Sequence, residues 1–386
     1  MTLAPALGVY VHWPYCARIC PYCDFNVVRE RGRTQEKAAL VEAILADLAA
    51  QAARIGFRRL VSIFFGGGTP SLMAPEAVGR IIEACRAHWP AEPDLEVTLE
   101  ANPTDAEAGR FAAFAAAGVG RLSLGVQSLD DAALKALGRN HDAAAARRAM
   151  ETAKTVFPRL SIDLIYARPD QTVAAWRAEL AEALAFGPEH VSPYQLTIEA
   201  GTAFDHAVRR GTLRPPDEET AADLYEATQD VLGTAGFEAY EVSNHARGQA
   251  ARSRHNLTYW RGEDYLGVGP GAHGRITLSD GRWATVSPKA VADYVVRVRD
   301  EGVGAQSERL TPREVALERL LMGLRTVEGV GISELAALPL DRRAVAELER
   351  AGLACAAGGR LRVTARGRPV LDRITAELAS APAVAG

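Results

Sequence analysis

The sequence predicts an α/β protein built on an incomplete (β/α)6, TIM-like barrel, followed by an extension and a small winged-helix-like domain. Three observations carry that prediction. Short apolar runs alternate with helix-length amphipathic segments through the first half of the chain, which implies parallel strands joined by helical crossovers. Those runs end in glycines or isolated polar residues, where barrels of this kind keep their chemistry. From about residue 217 the alternation stops and another rhythm begins.

Taken in order, Val9 to His12 reads as a short strand feeding a cysteine-rich loop. Thr34 is expected to N-cap a long helix to about Arg54, because a threonine hydroxyl can satisfy a free helix N–H. Leu60 to Phe65 is continuously apolar and bounded by glycine, which fits a strand buried on both faces. A helix over 75–88, a strand Leu95 to Glu100 and a helix over 105–117 ending at Gly118 come next. Strand Arg121 to Gln127, helices over 130–137 and 142–156, strand Leu160 to Tyr166, helix Val173 to Phe186 and strand Val191 to Thr197 complete six strands. A helix over 218–232 precedes an irregular stretch over 240–275, strand-like pieces near 276–286 and a helix over 288–299. The glycine-bearing residues 301–307 read as a linker, and helices with a Gly358-Gly359 turn and a strand over 361–364 form a helix–turn–wing pattern. The expected domains are 1–235 for the barrel, 236–305 for the connecting region and 306–380 for the small C-terminal unit. The tail from Ala381 is expected to fray.

Composition narrows the class. The 386 residues carry 44 Lys and Arg against 48 Asp and Glu, with basic residues scattered, which argues against nucleic acid as a partner. Only Lys37, Lys135, Lys154 and Lys289 are lysines. The N-terminus lacks the charged and apolar regions of a signal peptide, and no stretch approaches a membrane span, so a cytoplasmic setting is expected. Five cysteines are an odd number, and three fall within eight residues, which suits metal binding better than disulfides. Cys85 reads as helix core and Cys355 as packed beneath the small domain.

The cluster is Cys16, Cys20 and Cys23, spaced C-x3-C-x2-C directly after the first strand. Three thiolates leave a tetrahedral metal or a four-iron cluster one ligand short. A zinc site completed by nearby His12 is the alternative, although structural zinc motifs usually come as two separated pairs. Gly66-Gly67-Gly68-Thr69-Pro70 closes the second strand, and glycines there allow close approach of backbone to a ligand.

The cysteine spacing, its preceding strand and the glycine run resemble the radical S-adenosylmethionine superfamily. The resemblance implies a [4Fe–4S] cluster on the three cysteines, with S-adenosylmethionine chelating the open iron and serving as a radical source. Phe64-Phe65-Gly-Gly-Gly-Thr-Pro70, Glu100-Ala-Asn-Pro103, Leu124-Gly-Val-Gln127 and Asp163-Leu-Ile-Tyr166 stand in the order found in the coproporphyrinogen dehydrogenase-like (HemN-like) branch. By that likeness Tyr10, Gly67, Gly68, Thr69, Glu100, Gln127, Arg139 and Asp163 match S-adenosylmethionine contacts, and Tyr22 can pack beside the adenine. Two departures stand out. The fourth cysteine of the dehydrogenases, two positions beyond the third, is Phe25 here, as in the heme chaperones (HemW) of the same branch. Ala167-Arg-Pro-Asp-Gln171 replaces the usual Gly-Leu-Pro-Gly-Gln, which questions the local turn.

His255-Asn-Leu-Thr-Tyr259-Trp260, followed by Gly267-Val-Gly-Pro-Gly-Ala-His273-Gly274, resembles the heme-chaperone signature. It implies heme binding by His255, Tyr259 and Trp260, with Arg252, Arg254 and Arg261 available to propionates. The other reading of His255 is a loop pin hydrogen-bonded within the protein. The resemblance thus implies a heme chaperone that delivers heme to respiratory heme proteins, peripherally at the membrane at most, with a cluster-promoted homodimer. An oxygen-independent coproporphyrinogen III dehydrogenase is the alternative, and a metal-stabilised binding module without cofactor chemistry is the second.

Overall fold

The computed structural model describes residues 4–338 and 340–379, so the tail from Ala381 lies outside the described residues. Six strands form where the apolar runs lie: β1 (Ala6–Trp13), β2 (Arg59–Gly67), β3 (Ala91–Ala101), β4 (Arg121–Gln127), β5 (Arg159–Tyr166) and β6 (His190–Gln195). Later segments add β7 (Glu238–Glu241), β8 (Asn244–Ala246), β9 (Asp264–Val268), β10 (His273–Leu278), β11 (Gly281–Val286) and β12 (Gln306–Arg309). Together they make one 12-stranded sheet in the order β12-β11-β10-β9-β1-β2-β3-β4-β5-β6-β8-β7. Neighbours from β9 to β6 run parallel, and the remaining pairs are antiparallel. The sheet is an open, incomplete barrel among the described residues.

Side chains alternate across each strand, and the sequence uses both faces. Leu7, Val9, Val11, Ile63, Phe65, Val97, Leu99, Leu122, Leu124, Ile162 and Leu164 join one core cluster with Leu40 and Ile44 of the helix Thr34–Ile55 and Ile81 of the helix Pro75–His88. The alternate positions are glycine or polar for the most part: Gly8, Ser62, Glu96, Thr98, Glu100, Ser123 and Asp163. The inner face of the barrel is therefore hydrophilic, which suits a binding site rather than a packed plug.

Several expectations change. The helix Thr34–Ile55 is preceded by Arg33 at the cap, with no side-chain cap bond, so Thr34 is its first residue. The helix expected over 105–117 is two, Asp105–Ala108 and Phe111–Ala116. The irregular stretch over 240–275 contains β7, β8, the helix Arg254–Trp260 and β9, a seventh strand parallel to β1 with Tyr10 opposite Gly267. Residues 301–307 are not a free linker: the Gly304 N–H donates to buried Asp47 at 3.0 Å, and Gln306 opens edge strand β12. The C-terminal unit has its own core, including Leu320, Leu335, Leu348, Leu361, Ile374 and Leu378. Its helices Pro312–Gly323 and Arg342–Arg350 accompany a hairpin of Ala354–Ala357 with Arg360–Val363, the expected wing. Cys85 is core, as read, but Cys355 is exposed because it lies on the outer face of that hairpin.

Candidate functional site

The cysteine loop leaves β1 and is closed by a short parallel pairing of Tyr15–Cys16 with Val28–Arg29. Glycine is needed where the end of β2 meets the loop's entry. A Cβ on Gly67 would stand 2.6 Å from the His12 ring, and one on Gly68 would stand 2.7 Å from backbone of Pro14 and Tyr15. The Gly68 and Thr69 N–H groups donate to the carbonyls of Trp13 and Tyr15, at 2.7 and 2.8 Å. These glycines thus permit close approach of the chain to itself as well as lining a cavity. The far side of the loop sits on Gly138 and on Phe204, whose N–H donates to the Pro21 carbonyl at 3.0 Å.

Cys16, Cys20 and Cys23 open into one cavity of about 300 Å3, which Tyr22, Gly67, Gly68, Thr69, Glu100, Gln127, Arg139 and Asp163 also line. Tyr10 does not; it lines a second, larger cavity of about 670 Å3. The sulfurs belong to a hydrogen-bonded chain. Thr69 Oγ1 donates to Cys16 Sγ at 3.6 Å, Asn102 Nδ2 donates to Thr69 Oγ1 at 3.0 Å, and Arg139 Nη2 donates to Asn102 Oδ1 and to the Gly125 carbonyl. Arg139 Nη1 completes it by donating to Cys20 Sγ at 3.4 Å, while the Arg139 Nε–H has no partner among the described residues. Asn102, which no isolated sequence signal marks as a site residue, is the hub. It is visible only as the third residue of Glu100-Ala-Asn-Pro103.

This donor set fits an iron–sulfur cluster better than a lone ion. Three cysteines line one cavity and a four-iron cluster takes one cysteine per iron, which leaves one iron open to a ligand in that cavity. His12 is not free to complete a zinc site, since its Nε2 bonds the Asn26 carbonyl at 2.9 Å and its Nδ1 the Tyr10 hydroxyl at 3.0 Å. Burial pushes the Cys16 thiol up to about 11 and raises Cys23, so loading metal must displace protons. On the opposite wall, burial and the neighbouring Asp163 lift Glu100 to about 8, and burial lifts Asp163 to about 6. Two neighbouring buried carboxyls held partly protonated suit hydroxyls or an ammonium group. Gln127 reaches this wall with φ of 65°, a strained value that the bulge between Gly125 and Gln127 imposes.

The two cavities share Asp24, Phe25, Gly67 and Glu100. Phe25 is 66% exposed and stands between them. The larger one is walled by Tyr259, Trp260, Tyr265, Val315 and Met322, with Arg275, Arg282, Lys289 and Arg319 among its polar lining. The Trp260 indole N–H is buried without a partner among the described residues.

His255 is placed differently from the other two signature residues. It is 1% exposed, stacks on Phe64 at 4.9 Å, and does not line the larger cavity. Its Nδ1 bonds Ser62 Oγ at 2.9 Å and its Nε2 the Tyr259 hydroxyl at 2.6 Å. Burial lowers its pKa to about 3, so the ring is neutral. The imidazole therefore pins the helix Arg254–Trp260 onto β2 and offers no free nitrogen. Arg252, Arg254 and Arg261 are likewise engaged, with Glu238, Asp94 and Glu328. The departure at 167–171 is accommodated. Ala167 and Asp170 take left-handed φ of 56° and 59°, and buried Arg168 is paired with half-buried Glu179.

Comparison with known proteins follows the same lines. Residues 10–183 match the Radical SAM superfamily, and residues 310–370 match the HemN C-terminal domain. The chain is 44% identical to mouse "Radical S-adenosyl methionine domain-containing protein 1, mitochondrial" over 84% of its length and 74% of that protein. It is 40% identical to "Heme chaperone HemW" of Escherichia coli over 73% of each chain, and 37% identical to the protein so named in Mycobacterium tuberculosis over 96% and 94%. The structure of coproporphyrinogen III oxidase (HemN) from Escherichia coli superposes with a TM-score of 0.80 at 22% identity, over 98% of this chain and 91% of that one. No helix among the described residues is long and apolar enough to cross a membrane. The chain belongs to the radical SAM superfamily, in its HemN-like branch alongside the proteins named heme chaperone HemW.

Proposed function

We propose that this protein is a heme chaperone on a radical SAM scaffold, which binds heme in the larger cavity and passes it to heme-dependent respiratory proteins from the cytoplasm. The observation that carries the reading is the pair of adjoining cavities. One gathers three cysteines and the strand-end polar residues; the other is aromatic with a cationic edge, the character of an amphipathic macrocycle's site. The relatives named heme chaperone HemW support it over nearly the whole chain.

In this reading Cys16, Cys20 and Cys23 hold three irons of a [4Fe–4S] cluster, and S-adenosylmethionine occupies the smaller cavity. When bound, the two supply one-electron chemistry. Arg139, Asn102 and Thr69 orient the sulfurs through the hydrogen bonds described above. Glu100 and Asp163 meet ribose hydroxyls or the ammonium, and Gln127 and Tyr22 flank the adenosine. Tyr259 and Trp260 provide the aromatic wall for heme. A cluster-promoted homodimer and docking at the membrane surface belong to the same proposal.

The rival, a coproporphyrinogen III dehydrogenase, has a fold match on its side, which speaks to fold alone. Phe25, where those enzymes are expected to carry a cysteine, opposes it. Hemin titration of the anaerobically reconstituted protein should give a saturable Soret band, and coproporphyrinogen III should not be turned over. Conversion of coproporphyrinogen III to its divinyl product would overturn the chaperone reading.

A further inference from the structure

Resting on that heme-binding reading, we propose that His273 is the ligand to the heme iron, with Lys289 meeting a propionate. Imidazole is a common axial ligand, and it must offer a free ring nitrogen. Of the eight histidines, only His12 and His273 line the larger cavity. Both nitrogens of His12 are bonded within the protein, and so are both of the buried His255. His273 is exposed, and its ring has no hydrogen bond among the described residues.

The backbone under His273 is held firmly while the ring is free. It opens β10 and pairs with Val286 of β11. The turn before it is packed tightly: a Cβ on Gly271 would stand 2.6 Å from Asn26 Nδ2. That amide donates to the carbonyls of Pro270 and Lys289 at 3.0 and 2.9 Å. The segments bearing His273 and Lys289 are therefore fastened to the residue that follows Phe25 at the exit of the cysteine loop.

Charge in the cavity is arranged for a molecule with an apolar body and an acidic edge. Arg275, Arg282 and Arg319 line it but are already paired with Glu318, Asp264 and Glu334. Lys289 lines it with no ion pair among the described residues. It is the cation with charge to spare, and it lies near His273, whose pKa is lowered by burial first and then by Arg275 and Lys289.

Hemin titration of the full chain tests this, using His273→Gly and His273→Ala beside His255→Ala and Met322→Leu. Loss of the ligand should shift the Soret band and weaken binding by about tenfold or more. Added imidazole should restore the wild-type spectrum to His273→Gly, a rescue that a merely structural residue would not show. His255→Ala and Met322→Leu should keep the wild-type band position. With heme dimethyl ester, Lys289→Ala should bind as wild type does, whereas with free heme it should bind several-fold more weakly. A wild-type spectrum in both His273 variants, or a shift in Met322→Leu or His255→Ala alone, would overturn the assignment while leaving heme binding intact. Absence of saturable binding by the wild type would instead overturn the heme reading itself. Cluster reconstitution and circular dichroism of each variant confirm that the fold is retained.

Discussion

Replacing Gly138 by alanine should disturb the cluster site from outside it. Gly138 has φ of 67°, where a side chain costs about 1–2 kcal/mol. Its new Cβ would also stand 2.6 Å from Pro21 Cδ, against ordinary contact from 3.4 Å, so Pro21 must retreat by about 0.8 Å (3.4 − 2.6). Pro21 lies between Cys20 and Cys23, and metal sites tolerate errors of only a few tenths of an ångström. Gly236 is the matched control, with φ of 80° and nothing within 4 Å of an added Cβ. Urea unfolding of the apo proteins should show about 1–2 kcal/mol lost in Gly236→Ala and somewhat more in Gly138→Ala. Anaerobic reconstitution, followed by iron and sulfide analysis and by the rate of cluster loss in air, should separate them: wild-type loading for Gly236→Ala, reduced or short-lived loading for Gly138→Ala. Equal loading and equal cluster lifetime in the two variants would refute the claim that Gly138 seats the cysteine loop.

Other outcomes follow from the same geometry. Arg168→Leu should cost roughly 2 kcal/mol by removing the charge-assisted bonds to Glu179, which keeps only its bonds from Ser128 Oγ and the Leu129 N–H, and adding Glu179→Gln should recover part of it; urea denaturation reads both. His255→Ala should lose roughly 2–3 kcal/mol through the vacated volume and the unpaired Ser62 and Tyr259 hydroxyls, measured by thermal or urea unfolding. S-adenosylmethionine affinity should rise with pH from 6 to 8 and then level off. Glu100 starts protonated and Asp163 about half protonated there, and a bound ammonium expels those protons; anaerobic calorimetry in buffers of different ionisation heat would expose a flat profile or absent proton release. Because both folded-state pKa values are raised, these carboxyls favour the apo fold below about pH 4. That contribution is lost as pH rises through 6 and 8, so Glu100→Gln should flatten the alkaline side of the apo stability profile.

What was legible in the sequence was mostly local. The six strands could be read because each apolar run is short, contiguous and punctuated by glycine, proline or a polar residue. The three cysteines could be read because their spacing lies within one loop. Strand β9 could not: Asp264-Tyr-Leu-Gly-Val268 carries little apolar signal, and its partner β1 lies more than 250 residues earlier. The same limit hides the seat of the cysteine loop on Gly138 and Phe204, and the hub made by Asn102 between Thr69 and Arg139. His255 shows a different limit. An imidazole in a signature motif serves equally as metal ligand or as hydrogen-bonding pin, and only the positions of Ser62 and Tyr259 tell which. Phe25 was marked in sequence by the cysteine it replaces; that it borders both cavities is a fact of three dimensions.

The most direct test is a hemin titration of the cluster-loaded protein at saturating S-adenosylmethionine, with bound S-adenosylmethionine counted at each point. Two adjoining but separate cavities predict one heme per chain, a saturable Soret band and full retention of S-adenosylmethionine. Displacement of S-adenosylmethionine in step with heme uptake, or no saturable band at all, would contradict the account.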